Sequence, residues 1–399
     1  MILRFIRLEL REITIPFRFA FKHSLAVRRQ ARNLILTLST DAGTVGYGEV
    51  IPRRYLTGET INTAWEDIRR RFWPAVLELR LSGSQSPWAA LQPLFAWAAA
   101  ERRTGAYAGM DLAVWDAWAR TVRRPGYSLF GQPRPLPVPL TGPLGAGSFN
   151  YLRRTAKLMK FLGFLEYKLK VGSVQDLSAV QLLRRIIGPR CDLRVDANAG
   201  WQADQAIAMM RELQQFGVSS VEQPIPAGNV EELARVQQEG GLPVVADESL
   251  CTLDDARLLL EARAADIWNL RLAKIGGFTG FLTLLQMAGY PLPPGCNGGR
   301  ATSGRRSGKQ PAYRPQIHLG VLVGETSLIS AAARACLGLC PYIHVEYGYP
   351  RVLLKLDPFQ GDPGGYSGTA TPLGQACGLG VTPRPQLLER LTVRKEVLE

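Results

Sequence analysis

An α/β barrel of parallel strands behind a smaller α+β domain is the architecture this sequence predicts, and three observations predict it. The chain has 399 residues, room for a barrel and a partner domain. From about residue 138 short apolar strands alternate with helical periods, the pattern of a parallel sheet covered by helices. Ionisable residues recur at the ends of those strands, one strand-helix unit apart.

The first 125 or so residues read differently from the rest. Segments 2–13 and 32–39 carry β-type patterns, and the second turns at Asp41-Ala-Gly43 into Thr44–Val50 as a hairpin. Helical patterns follow at 60–80 and 87–101. A clearer one spans Ala106–Val122, with Met110, Ala113, Val114, Ala117 and Trp118 on one face. The stretch Arg124–Pro139 is punctuated by Pro and Gly and marks the boundary. The division expected is 1–130 for the α+β domain, 131–350 for the barrel, and 351–399 as a C-terminal segment packing back toward the first domain.

The second half is taken unit by unit. Strands are expected at 138–141, 166–171, 192–195, 218–221, 243–246 and 267–272, and helices at 148–163, 175–187, 202–216, 229–239, 253–264 and 278–288. So many units suggest closure into a barrel. A doubly wound open sheet is the alternative, but no Gly-x-Gly-x-x-Gly turn follows the first strand, which weakens a dinucleotide-binding version.

Composition narrows the function classes. Apolar residues make up 46% and charged residues 21%, ordinary for a globular protein. No signal-peptide pattern and no apolar run of membrane-spanning length is present, and the six cysteines form no Cys-x-x-Cys pair, so a reduced cytoplasmic enzyme is expected. The net charge of +14 invites a nucleic-acid reading, yet arginine supplies 39 of the 48 basic residues, scattered along the chain without interleaved aromatics at its one cluster. Attraction of an anionic small molecule is the better use of that charge.

The chemistry starts at Glu166-Tyr-Lys-Leu-Lys-Val-Gly172. Lys168 and Lys170 are two apart on a strand, so both ammonium groups face one way. Alone this is an ordinary solvated edge. Downstream stand Asp196 in Val-Asp-Ala-Asn198, Glu222 in Val-Glu-Gln-Pro, Asp247 in Ala-Asp-Glu248, and Lys274 in Asn-Leu-Arg-Leu-Ala-Lys-Ile-Gly-Gly277. The intervals from Lys170 are 26, 26, 25 and 27 residues, which puts all five at equivalent places on the C-terminal mouth of a barrel. Three carboxylates there supply hard oxygen ligands suited to Mg²⁺, and the three histidines (23, 318, 344) lack zinc-type spacing. A cation beside a substrate carboxylate offsets the charge that builds up when the α-proton leaves. A neighbouring cation and partial burial can bring a lysine into the range of a working base.

With Gly46-Tyr-Gly-Glu49, the helix Gly109-Met-Asp-Leu-Ala-Val-Trp-Asp116 and these strand motifs, the whole chain resembles the enolase superfamily, specifically the muconate lactonizing enzyme subgroup. The resemblance implies a modified TIM-type (β/α)7β barrel with an N-terminal α+β capping domain. It also implies Mg²⁺ held by Asp196, Glu222 and Asp247, with Lys170 and Lys274 as acid/base groups on opposite faces of the substrate α-carbon and Lys168 acting electrostatically. The activity implied is proton abstraction α to a carboxylate through an enediolate, most simply epimerisation or racemisation of an amino-acid derivative or dipeptide. A muconate-type cycloisomerase and an o-succinylbenzoate synthase-like dehydratase are the alternatives. A small-molecule carboxylate is the expected partner, with no nucleic acid and no membrane; barrels of this family often assemble into homo-oligomers.

The pattern also breaks. Where the next strand is due, residues 290–314 are rich in Gly, Pro, Ser and Arg, and the strand Gln316–Val323 comes about 24 residues late. An inserted basic loop is expected, and a pseudo-enzyme with a barrel disrupted by the insertion is the non-enzyme alternative. Glu325 stands one residue later than the acid of typical muconate lactonizing enzymes, and His344-Val-Glu346 replaces the Asp-x-Asp with which dipeptide epimerases hold the substrate amino group. Two capping loops, 19–24 and 51–57, would roof the pocket, with Lys22, His23, Arg53 and Tyr55 as candidates to touch a distal anionic group and Glu325 and Glu346 as candidates from the barrel.

Overall fold

The computed structural model describes residues 2–23, 26–130, 138–145, 147–172, 176–294, 296, 313–346, 348–361, 368–370 and 375–399; of 21–23, 26, 27, 127 and 370 the backbone alone is described. Long antiparallel strands β1 (Phe5–His23) and β2 (Ala26–Thr40) pair along their length, and β3 (Val45–Val50) follows β2 after a turn with Gly43 at φ 74°. The sequence predicts that β1 ends by residue 13 and that 19–24 is a loop. Instead the pairing resumes after a register shift between Pro16 and Phe21 and carries the hairpin to His23. Proline cannot donate to a ladder, so it bends the strand without ending it.

Helix α1 (Thr104–Thr121) is buried over nearly all its length and lies on β3. The glycines of Gly46-Tyr-Gly-Glu49 permit this. A side chain at Gly46 would run into Ala113 and Ala117, and one at Gly48 into Gly109 of the helix. The motif is a backbone-to-backbone contact between strand and helix.

The second half is an eight-stranded sheet whose neighbours follow in chain order. Its strands are β4 (Thr141–Leu144), β5 (Glu166–Lys170), β6 (Asp192–Asp196), β7 (Val221–Glu222), β8 (Val244–Ala246), β9 (Ile267–Leu270), β10 (Gln316–Leu319) and β11 (Tyr342–Val345). Every pair is parallel. The helices between them are α2 (Phe149–Phe161), α3 (Asp176–Ile187), α4 (Ala203–Gln214), α5 (Val230–Gly240), α6 (Leu253–Ala262), α7 (Gly277–Met287) and α8 (Ser327–Ala335). This is a nearly closed (β/α)7β barrel. Caps explain several of the boundaries: Asn229 accepts from Glu232 N, and Thr252 forms a capping box with Asp255.

Three expectations are corrected. The expected strand 138–141 splits at Leu140: Val138–Pro139 pairs with Thr369–Ala370 outside the barrel, and the barrel strand begins at Thr141. Lys274 does not end a strand. It sits on a helical turn, Leu272–Ile275, closed by Gly276 at φ 91°. The barrel is not disrupted: β10 pairs with β9 on one side and β11 on the other, so the sheet runs on through the late strand. Most of the inserted stretch, 297–312, lies outside the described residues. Finally, β12 (Thr392–Leu398) returns to the first domain and pairs antiparallel with β1. Among the described residues no helix is long and apolar enough to cross a membrane.

Candidate active site

Strand register assembles the site. Lys170 lies opposite Asp196 between β5 and β6, and Asp196 opposite Glu222 between β6 and β7. Asp247 follows β8 two residues beyond Val245, the partner of Glu222. Three acids therefore form a row across adjacent strands. A lysine stands at each end of it. Lys170 Nζ donates to Asp196 Oδ2 at 2.9 Å, and Lys274 Nζ donates to Asp247 Oδ1 at 2.9 Å. Lys274 is fully buried and also donates to the Asp247 and Asn269 carbonyls at 2.7 and 3.1 Å.

Lys168 lies one step deeper, as period two on β5 requires. It donates to Glu222 Oε2 at 3.0 Å, has Asp196 Oδ2 at 3.7 Å, and makes a close ion pair with Glu346. Burial pulls its ammonium group down, but Glu222, Glu346 and Asp196 together outweigh burial and hold it above the usual lysine value. It is a permanent positive charge beneath the row of acids. Burial and Asp247 push Glu222 up, while Lys168 and Arg271 outweigh them and leave it lower than an ordinary carboxylate. Asp247 is likewise held low by Arg271 and Lys274 against burial.

Arg271 is a site residue that the spacing argument missed. Its Nη2 bridges Glu222 Oε1 at 2.9 Å and Asp247 Oδ2 at 2.7 Å. Asn269 Nδ2 donates to the same Glu222 oxygen at 2.9 Å, and Asn198 Oδ1 accepts from Lys170. The signal for Asn269 and Arg271 was available, since they are two apart at the end of β9, as Lys168 and Lys170 are on β5.

The donor set suits a hard divalent cation. All three acids offer carboxylate oxygens, and beside them Glu248 Oε2 is buried with no hydrogen-bond partner. Burial, Asp247 and Asp196 push the Glu248 carboxyl up to about 8, a further sign of uncompensated negative charge. The row is not drawn tight, however. Among the described residues, the groups whose ligand atoms lie within 4.8 Å of one another are Glu222–His318–Glu346 and Glu166–Asp192–His344. The Arg271 guanidinium occupies the gap between Glu222 and Asp247.

The remaining candidates separate. Glu346 is buried and committed to Lys168, with His318 Nε2 at 3.5 Å, while His344 turns to the far end of the barrel, where its Nδ1 lies 3.1 Å from Glu166 Oε2. Glu325 is buried; Oε1 accepts from Leu322 N, Oε2 has no hydrogen-bond partner, and burial raises its carboxyl to about 8. Arg53 is buried and donates to the Pro52 and Val323 carbonyls at 2.9 and 2.6 Å, so it ties the 51–57 segment to the loop after β10. Burial and the neighbouring Arg28 lower it to about 10. Tyr55 is exposed, with the Arg28 guanidinium 5.9 Å from its ring centre. The side chains of Lys22 and His23 lie outside the described residues.

Fold and site together define a capped (β/α) barrel enzyme with its polar centre at the C-terminal mouth. Comparison with known families agrees. Residues 5–131 match the mandelate racemase/muconate lactonizing enzyme N-terminal domain, and residues 151–305 match the enolase C-terminal domain-like family. The chain belongs to the enolase superfamily, in its mandelate racemase/muconate lactonizing enzyme branch. It is 28% identical over 392 residues to the L-Ala-D/L-Glu epimerase of Bacillus subtilis, covering 95% of this chain and 97% of that one. Muconate cycloisomerase 1 of Rhodococcus opacus is 30% identical over 61% of this chain and 66% of its own. The crystal structure of a dipeptide epimerase from Enterococcus faecalis, complexed with Mg and the dipeptide L-Leu-L-Tyr, superposes with a TM-score of 0.79 at 25% identity, covering 95% of this chain and 99% of that one.

Proposed function

We propose that this chain is a Mg²⁺-dependent epimerase or racemase that removes and returns the proton α to the carboxylate of an amino-acid derivative, with Lys170 and Lys274 as the two bases. The observation that carries the reading is the row Asp196–Glu222–Asp247 with a lysine at each end. A substrate carboxylate placed over that row has one amine on each side of its α-carbon. Inversion needs that arrangement: one group takes the proton and the other delivers one to the opposite face.

Asp196, Glu222 and Asp247 would hold the metal, with Glu248 beside them. Bound there, Mg²⁺ supplies positive charge against the negative charge that builds on the substrate carboxylate as the proton leaves. The chain's own residues do the rest. Lys168, held charged by its acids, keeps the floor of the site electropositive. The carbonyls of Asp247 and Asn269 aim the Lys274 amine. Arg271 bridges two of the acids and so must share or yield them when a cation enters.

Side chains around the site favour an N-acylated amino acid over a free dipeptide. A dipeptide carries an ammonium group that needs a carboxylate. Glu346 is engaged by Lys168, and the His344 ring faces Glu166, so neither replaces the missing Asp-x-Asp pair. In the capping domain Arg28 and Arg53 lie near each other, neither with a carboxylate within ion-pair distance among the described residues, and each with a buried Nε lacking a hydrogen-bond partner. Such a pair suits a distal anionic group on the acyl portion.

The test is α-proton exchange in deuterated water with Mg²⁺, using N-acyl amino acids with neutral and anionic acyl groups beside free dipeptides. Exchange accompanied by inversion, fastest on an anionic N-acyl substrate, is expected. Turnover of muconate with no exchange on any amino-acid derivative would replace the epimerase with a cycloisomerase.

A further inference from the structure

We propose that Asp111, on the capping-domain helix α1, is a positioning residue for Lys274, acting by capping helix α7 from outside. The inference rests on the reading of Lys274 as one of two bases.

Lys274 rides on a four-residue helical turn, Leu272–Ile275, between β9 and α7. Gly276 ends that turn and begins α7, at φ 91°, and Gly277 follows at φ 65°. A single turn bounded by two glycines has little stiffness of its own. Nor can Gly276 cap α7, because it has no side chain to accept from the first N–H groups of the helix. Those groups are satisfied across the domain boundary. One oxygen of Asp111, Oδ2, accepts from Phe278 N at 2.6 Å and Thr279 N at 3.1 Å, and Oδ1 accepts from the Tyr107 hydroxyl at 3.3 Å. Asp111 is fully buried, so no water replaces it.

Sterics hold the same turn. A Cβ on Gly277 would run into the Asp111 carboxylate, one on Gly276 into Phe95, and one on Gly280 into the Ile275 carbonyl. On the near side of the lysine, Gly105 of α1 faces the Ala273 carbonyl, and Glu59 fixes that end of α1 by accepting from Gly105 N and Ala106 N at 2.9 and 2.7 Å. Capping-domain atoms thus bracket the backbone on both sides of Lys274. Lys170 is held differently, on a strand paired on both sides. Asp111 therefore serves one base and not the other.

That asymmetry gives the test. Each epimer of the substrate surrenders its α-proton to a different lysine, and Lys274→Ala identifies the epimer served by Lys274. In Asp111→Ala, kcat for exchange from that epimer should fall roughly tenfold to a hundredfold, as for a base displaced by about an ångström. Exchange from the other epimer and both KM values should hold. Asp111→Asn, which keeps an acceptor oxygen, should recover most of the loss. Amide hydrogen exchange over 272–280 should quicken in Asp111→Ala while 166–170 stays protected. Equal loss on both epimers, or no loss together with unchanged protection of 272–280, overturns the proposal. If wild-type protein exchanges neither epimer, the two-base reading has failed, and the protection of 272–280 in Asp111→Ala and Asp111→Asn still decides whether Asp111 holds the turn. Should Asp111→Ala not fold, Asp111→Asn against Asp111→Ser carries the same comparison.

Discussion

Lys170 and Lys274 are alike in chemistry and opposite in placement, one on a strand beside Asp196 and one on a turn beside Asp247. Removing either should stop inversion, yet leave the remaining lysine able to exchange the proton of one epimer. Lys170→Ala and Lys274→Ala are each expected to lose about 10²- to 10⁴-fold in inversion, with exchange retained on complementary epimers. Mass-spectrometric deuterium counting on each epimer separates this from a shared loss, which would mean a single base. Arg271 gives a second prediction. It stands between Glu222 and Asp247, both buried, so Arg271→Met leaves two acids short of a counter-charge, a change worth about 3–5 kcal/mol in buried pairs. The metal-free variant should melt well below wild type, and Mg²⁺ should raise its melting temperature by more than it raises the wild type's. Equal shifts would place the metal away from these acids. At this scale the five ladder positions were legible because 26-residue spacing survives in a linear sequence. The barrel interior was not. Glu346 meets Lys168, and His318 meets Glu346, only because β10 and β11 close round to face β5, contacts that no local pattern announces.

At the scale of elements, the loop after β10 shows how buried acids join the two domains. Glu49 at the end of β3 accepts from Asn33 Nδ2 at 2.7 Å and from the Thr326 hydroxyl at 2.7 Å, which ties the capping sheet to the start of α8. Burial raises Glu49 to about 7, and burial with Glu49 nearby raises Glu325 to about 8; Glu59 and Asp111 are raised by burial to about 7. A carboxyl with a raised folded-state value binds its proton more tightly folded than unfolded. Its stabilisation is complete below the unfolded value, 4.5 for the glutamates and 3.8 for Asp111, and is lost as pH rises through the folded value. Global stability should therefore fall between about pH 5 and pH 8. Glu222, Asp247 and Glu346, all held low, act in the opposite sense, and their stabilisation is lost in acid below about pH 4. Urea unfolding at pH 5 and pH 8 checks this. Glu325→Gln should remove part of the alkaline fall, since one of the titrating groups is gone; an unchanged slope would mean Glu325 is already ionised in the folded protein. Where elements were misread, backbone chemistry is the reason. The apolar pattern of 2–13 does not register pairing that resumes beyond Pro16, the strand expected at 138–141 splits because Val138–Pro139 pairs with Thr369–Ala370, and the Lys274 turn depends on positive φ at Gly276 and Gly277.

At the scale of the whole molecule, the sequence order conceals that the last strand completes the first sheet. Strand β12 pairs with β1 from Thr392↔Ile13 to Leu398↔Leu8 and covers an edge that is otherwise open. Its side chains also reach the helical segment 61–77. Glu396 accepts from Trp65 Nε1 at 3.1 Å and Arg69 Nε at 2.9 Å, and the Arg394 guanidinium lies 3.8 Å from the Trp65 ring centre. Without β12, the edge of β1 presents unpaired backbone groups beside the apolar core formed by Leu8, Leu10 and Ile13. A chain ending at Leu391 should melt several degrees lower and associate through that edge, because the uncovered stretch Leu8–Ile13 is a template for pairing. The barrel does not contain this strand, so the loss reaches the site only through the capping domain. α1, which caps α7 through Asp111, belongs to the weakened unit. Light scattering and melting temperature of the truncated chain measure the first effect. The second is read from amide protection of 272–280, which should fall in the truncated monomer while 192–196 remains protected. Melting and scattering like those of the full chain would show that β12 is dispensable to the cap.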